Sequence, residues 1–234
     1  MNASTGMEKL KTKGLATLSL AVSVALLQAN SSLLPELEKH RRFAIQALNS
    51  GNAGAANAAS DVLGMKKITY RFAKNAPATG RQALIEAIGQ WERLLKRDIQ
   101  FVEAFSFQEP DVMITFEAQL GSNGKHFGGF TTWQRQILRH DNGDYEAKLA
   151  ATLQLRTVTP KGKPMDLAQM RHAAMHELGH ILGLDDSDEQ GDVMGPLDLA
   201  RPVITPKTDE VAQILKLRKE AQDIRNRAAS FGKV

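Results

Sequence analysis

Three observations predict an α+β domain built on one mixed, twisted sheet. Several short segments alternate apolar and polar residues, as half-buried strands do. Two longer stretches repeat apolar residues at helical spacing. The order along the chain is strand, helix, several strands, helix, loop, helix, with no internal repeat.

Residues 33–48 carry apolar side chains at 34, 37, 43, 45 and 48 with Lys39, His40, Arg41 and Arg42 between them, the pattern of a short helix. Residues 49–60, NSGNAGAANAAS, are small and polar and read as a linker. They set residues 30–65 apart as an N-terminal extension, a propeptide or a spacer, from a main domain over 66–234. The first strand is expected at Ile68, Tyr70 and Phe72, followed by a helix of about 17 residues on Ala83, Leu84, Ile88, Trp91 and Leu95. Strands are expected at 99–105 and 112–117. A glycine-rich loop at 121–129 leads to an edge strand at 130–137. Asp141-Asn142-Gly143-Asp144 marks a turn before a strand over 145–158. Asp166 is read as the N-cap of a helix over 167–182, with Gly183 ending it in a left-handed cap. Thr205 and Pro206 supply a cap and first-turn proline for a last helix on Val211, Ile214, Leu215 and Leu217.

Residues 1–29 read as a signal peptide. Lys9, Lys11 and Lys13 form a basic start, 14–27 are apolar or small, and the run is shorter than the roughly 20 residues of a spanning helix. Export, to the medium, the periplasm or the cell surface, is the expectation, without stable membrane insertion once the segment is removed. The absence of cysteine is compatible with bacterial export. The net charge of +4 falls to about +2 once Lys9, Lys11, Lys13 and Glu8 are set aside, too little for a nucleic-acid partner.

The chemistry lies at 176–186, HELGHILGLDD. Histidines four apart on a helix lie within roughly 40° of each other and one turn apart, so His176 and His180 can reach one ion. Glu177, rotated by about 100° from His176, addresses a water on the metal instead. Gly183 can turn the chain back, and Asp186 can return a carboxylate to the same ion. Asp185 is the competing candidate, and spacing favours Asp186. His172, one turn before His176, is a conceivable third helical ligand that the spacing leaves in a supporting or surface position.

HELGHILGLDD followed by Gly191-Asp192-Val193-Met194-Gly195-Pro196 resembles the metzincin zinc peptidases and, among them, the matrixins. The resemblance implies the zincin catalytic fold, with an active-site helix, a methionine turn and a C-terminal helix. It further implies zinc on His176, His180 and Asp186, with Glu177 as general base for hydrolysis of protein or peptide substrates. Met194 would form an apolar floor beneath the imidazoles. Matrixins usually carry histidine where Asp186 stands, whereas snapalysin-like bacterial enzymes carry aspartate. No tyrosine follows Met194, and with no cysteine the cysteine-based latency of many matrixins cannot operate. Matrixins often hold structural calcium. Asp185, Asp188, Glu189 and Asp192 are oxygen donors a calcium ion could use, though they lack a regular ligand loop. His126 and His140 do not show the pattern of a second zinc site. The expected protein is thus a monomeric, exported zinc endopeptidase. A binding module that keeps zinc for folding, without turnover, is the alternative, and the retained Glu177 argues against it. Cleavage specificity is not legible in the residues.

Overall fold

The computed structural model describes residues 33–121 and 128–231. The expected signal peptide over 1–29 lies outside the described residues. Five strands form one mixed sheet in the order β2-β1-β3-β5-β4: β1 (Lys67–Phe72), β2 (Gln100–Glu103), β3 (Val112–Glu117), β4 (Gly129–Arg139) and β5 (Tyr145–Arg156). β1, β2, β3 and β5 run parallel, and β4, at one edge, pairs antiparallel with β5 along its whole length. The Asp141–Asp144 turn joins β4 to β5, with Gly143 at φ 88°. The α+β class and the mixed sheet are as the sequence predicts.

Helices α3 (Ala78–Leu94) and α4 (Leu167–Leu182) pack on each other and on the sheet. Their shared core gathers Trp91, Met175 and Leu178 with Ile68, Ile114, Leu149, Leu153 and Leu155 from the strands. Trp91 is fully buried, and its indole N–H donates to the Met175 carbonyl at 3.0 Å, so the largest core side chain also fixes α3 against α4.

A second cluster corrects the expected linker. Residues 49–60 do not connect two units as coil: Ala53–Leu63 forms a helix, α2, between α1 (Pro35–Asn49) and α5 (Thr208–Ala228). Asn52 caps it by accepting the Ala55 N–H at 3.0 Å. Alanine is the strongest helix former, and Ala55, Ala56, Ala58 and Ala59 are all buried there, their small side chains admitting neighbouring helices closely. An alanine face carries little amphipathic contrast, which is why it resembles a linker. The α1–α2 pair packs with α5, Trp133, Ile137 and Tyr145. Its entry segment reaches the end of α4: the Leu34 N–H donates to the Gly183 carbonyl at 2.9 Å, and Leu33 bridges Leu184.

The last helix also starts later than expected. Thr205 and Pro206 precede it, and Lys207 is the N-cap residue, because the Glu210 carboxylate reaches back to the Lys207 N–H at 2.7 Å.

Leu37 is 1% exposed and packs where α1 meets Gly183. Leu37→Ala should cost about 2–5 kcal/mol in urea unfolding followed by tryptophan fluorescence, which reports Trp91 and Trp133 in the main sheet region. An unchanged transition would show instead that α1 is energetically detached.

Candidate metal centre

Helix α4 is framed at both ends by local chemistry. At its start, Asp166 accepts the Gln169 N–H at 2.9 Å while the Gln169 side chain accepts the Asp166 N–H at 3.1 Å, a reciprocal capping box. At its end Gly183 adopts φ 106°, a left-handed conformation that only glycine takes up without strain. The chain turns back there, and the Leu184 carbonyl comes within 2.9 Å of His180 Nδ1. The Val193 carbonyl lies 2.9 Å from His176 Nδ1. A carbonyl can only accept, so both Nδ1 atoms carry a proton, and in the neutral rings both Nε2 atoms present a lone pair.

Those two Nε2 atoms face the same oxygen. Asp186 Oδ1 is 3.1 Å from His176 Nε2 and 3.4 Å from His180 Nε2, and the rings stand edge to face at 4.8 Å. Two imidazole lone pairs and a carboxylate oxygen converging in this way are a donor set that a cation could neutralise, and the ligand atoms lie within 4.8 Å of one another. Where each ring also carries a proton on Nε2, it donates to Asp186, and that hydrogen bonding to the two histidines holds the Asp186 carboxyl well below the usual range. Burial opposes the charged form of His180, yet the Asp186 side chain and the Leu184 carbonyl outweigh it and raise its pKa. Asp185 is placed differently: its Oδ1 accepts the Asp186 N–H at 2.9 Å, and it does not join the His176–His180–Asp186 group.

Glu177 is not one of this donor set, but it lines the same cavity as His176 and Asp186. It is buried, and burial pushes its carboxyl up, offset in part by His176 and a 2.6 Å hydrogen bond donated by the Thr131 hydroxyl to Oε2. Gly129 makes the space: a Cβ there would lie 2.4–2.8 Å from Glu177 side-chain atoms. Neither Thr131 nor Gly129 stands out in the sequence. The glycine-rich loop is visible, but nothing local links its end to position 177.

Met194 is fully buried, lines the same cavity and packs against Gly179, where an added Cβ would come within 2.2 Å of its sulfur. Its carbonyl accepts the Ser187 N–H at 2.8 Å, and its own N–H donates to buried Glu210 at 2.8 Å. The same carboxylate holds the start of α5, so one side chain joins the methionine turn to the last helix. Trp133 stacks on His180 with ring centres 5.5 Å apart. Arg135, 7% exposed, donates to the Ile181 carbonyl at 2.9 Å and pairs with Glu36 at the start of α1.

The remaining candidates separate cleanly. His172 is buried rather than at the surface; its Nδ1 accepts the Val203 N–H at 3.0 Å, and burial above all pushes its pKa down to about 4. His140 is exposed in the turn and bonded to Glu146 at 3.0 Å, and His126 lies outside the described residues. The acidic residues expected to offer a calcium site form no metal-holding group among the described residues. Asp192 is instead buried, accepting the Ser187 hydroxyl at 2.9 Å and pairing with Lys207. Beside His176 and Glu177 opens a cavity of about 500 Å³ walled by Met165, Ala173, Leu197, Leu199 and Arg156.

This chain is similar to known proteins. The sequence profile of the matrixin family matches residues 63–218. The Metalloendoproteinase 1-MMP of Arabidopsis thaliana is 30% identical over 152 residues, which are 64% of this chain and 40% of that protein. The matched stretch thus spans less than half of the plant relative's length.

Removing the Glu210 carboxylate would leave the buried Met194 N–H and the Lys207 N–H without their acceptor. Glu210→Ala should therefore cost roughly 2–4 kcal/mol, read from denaturant unfolding. A change within 0.5 kcal/mol, roughly the scatter of ordinary surface substitutions, would show that the carboxylate does not secure the methionine turn.

Proposed function

We propose that this chain, which belongs to the matrixin family, is an exported zinc endopeptidase whose metal is held by His176, His180 and Asp186 and whose general base is Glu177. The observation that carries the reading is the convergence of His176 Nε2 and His180 Nε2 on Asp186 Oδ1, with both Nδ1 protons committed to backbone carbonyls. The donor set fits zinc, which takes neutral imidazole nitrogen and carboxylate oxygen and needs three protein ligands for catalysis. When bound, zinc supplies Lewis acidity toward the scissile carbonyl and lowers the pKa of water at the site.

The chain's own residues do the rest. Thr131 engages Glu177 Oε2 and leaves Oε1 to receive a proton from the attacking water and pass it to the leaving amine. The raised pKa that burial gives this carboxyl suits a group that must both accept and release a proton near neutrality. Gly129, having no Cβ, leaves room beside the Glu177 carboxylate. β4 is the edge strand on the side of the site, and the stretch from Gly129 to Thr131 runs past Glu177, so an extended peptide can lie along it and present its carbonyl to the site. A site kept only for folding would have no use for a buried carboxylate beside a cavity of this size.

Export rests on the basic and apolar pattern of residues 9–27. No helix among the described residues is long and apolar enough to cross a membrane.

The decisive comparison is wild type against Glu177→Gln on unfolded protein, with and without a chelator. Wild type should bind one equivalent of zinc and cleave in a chelator-sensitive manner. The variant should keep its zinc while losing about 10²–10⁴-fold in kcat/KM. Equal inertness of both proteins, with zinc bound, would establish the binding module instead.

A further inference from the structure

We infer that the cavity beside Glu177 selects substrates with a carboxylate side chain next to the scissile bond, and that Arg156 is the residue that selects them. The inference rests on the peptidase reading above and deepens it by naming a substrate class.

Arg156 ends β5 and lies on the cavity wall, where it is the only lysine or arginine among the described lining residues. It is 3% exposed. Its Nε donates to the Val158 carbonyl, while Nη1 is buried without a hydrogen-bond acceptor among the described residues. No described carboxylate forms an ion pair with it. Glu117, its register partner on β3, is exposed, and the two acids on the same cavity are engaged elsewhere, Glu177 by Thr131 and Asp186 by the histidines. A guanidinium taken out of water with one face unanswered is costly, and an incoming carboxylate removes that cost.

The rest of the wall suits the same guest. Met165, Ala173, Leu197 and Leu199 offer apolar surface to the methylenes of a glutamate, and about 500 Å³ is more than enough room for that side chain. Little water reaches the guanidinium, so a charge-assisted and potentially bidentate pair there is weakly screened. A neutral glutamine of the same shape could accept a hydrogen bond but would leave the charge unanswered. The preference is therefore for charge and not merely for size.

The test uses the zinc-loaded full chain and peptides in which both residues flanking the scissile bond are varied over Glu, Gln and Leu. Wild type should favour Glu over Gln at one of the two positions by about tenfold to a hundredfold in kcat/KM. Arg156→Met should bring that ratio close to one, and Arg156→Lys should retain part of it. Preference for Gln or Leu in wild type, or a Glu preference that survives in Arg156→Met, would overturn the inference and leave Arg156 as a brace for the chain that follows β5. Should Arg156→Met fail to fold, Arg156→Gln decides, since it keeps hydrogen-bonding capacity without the charge: a Glu preference undiminished there would overturn the inference. Binding of the same peptides to Glu177→Gln by calorimetry separates the two claims. If nothing is cleaved, the peptidase reading fails, and the Glu-to-Gln affinity ratio still decides whether the cavity reads charge.

Discussion

Two backbone carbonyls, those of Leu184 and Val193, decide which nitrogen each imidazole can offer. An imidazole left to itself divides its proton between two nitrogens and turns freely. Here each Nδ1–H is committed to a carbonyl at 2.9 Å, so each Nε2 is left as a lone pair with a fixed direction. The carbonyls come from two different turns. The Leu184 carbonyl is delivered by the left-handed Gly183 cap, and the Val193 carbonyl by the methionine turn. Much of the remaining structure can be understood as what keeps those two turns in place.

The Gly183 turn is held from outside α4. Leu34 donates to its carbonyl, Leu37 packs against it, and Arg135 ties the last carbonyls of α4 to Glu36 on α1. The methionine turn is held by Glu210 from α5 and by the buried Asp192 that joins Ser187 to Lys207. Helices α1, α2 and α5 thus support the site from behind while β4 approaches it from the front. A carboxylate bonded to two backbone N–H groups is worth more in such a place than an apolar contact, because it fixes direction as well as distance.

Local features of this arrangement were legible in the sequence, and tertiary ones were not. The bounds of α4, its Asp166 cap, its Gly183 stop and the spacing to Asp186 and Met194 are all written in neighbouring residues, so they can be read there. The strands at 67–72 and 112–117 follow from alternation for the same reason. Helix α2 escaped because alanines at buried helix positions look like a small, polar linker until the neighbouring helices are in view. Thr131, Gly129, Arg135, Arg156 and Glu210 escaped for a different reason. Each acts on a residue at least 16 positions away or on a cavity, and a lone threonine or arginine on a strand has no local pattern to announce it. His172 shows the reverse case. Its spacing one turn before His176 suggests a ligand, while its actual partner is the Val203 N–H.

The proposed chemistry depends on Asp186 sharing an ion with His176 and His180. The most direct measurement is anomalous diffraction at the zinc absorption edge from crystals of the zinc-loaded protein. One strong peak should lie about 2.0–2.2 Å from both Nε2 atoms and from a carboxylate oxygen of Asp186. A peak held by the histidines with Asp186 turned away, or a fourth protein ligand closing the site, would contradict it.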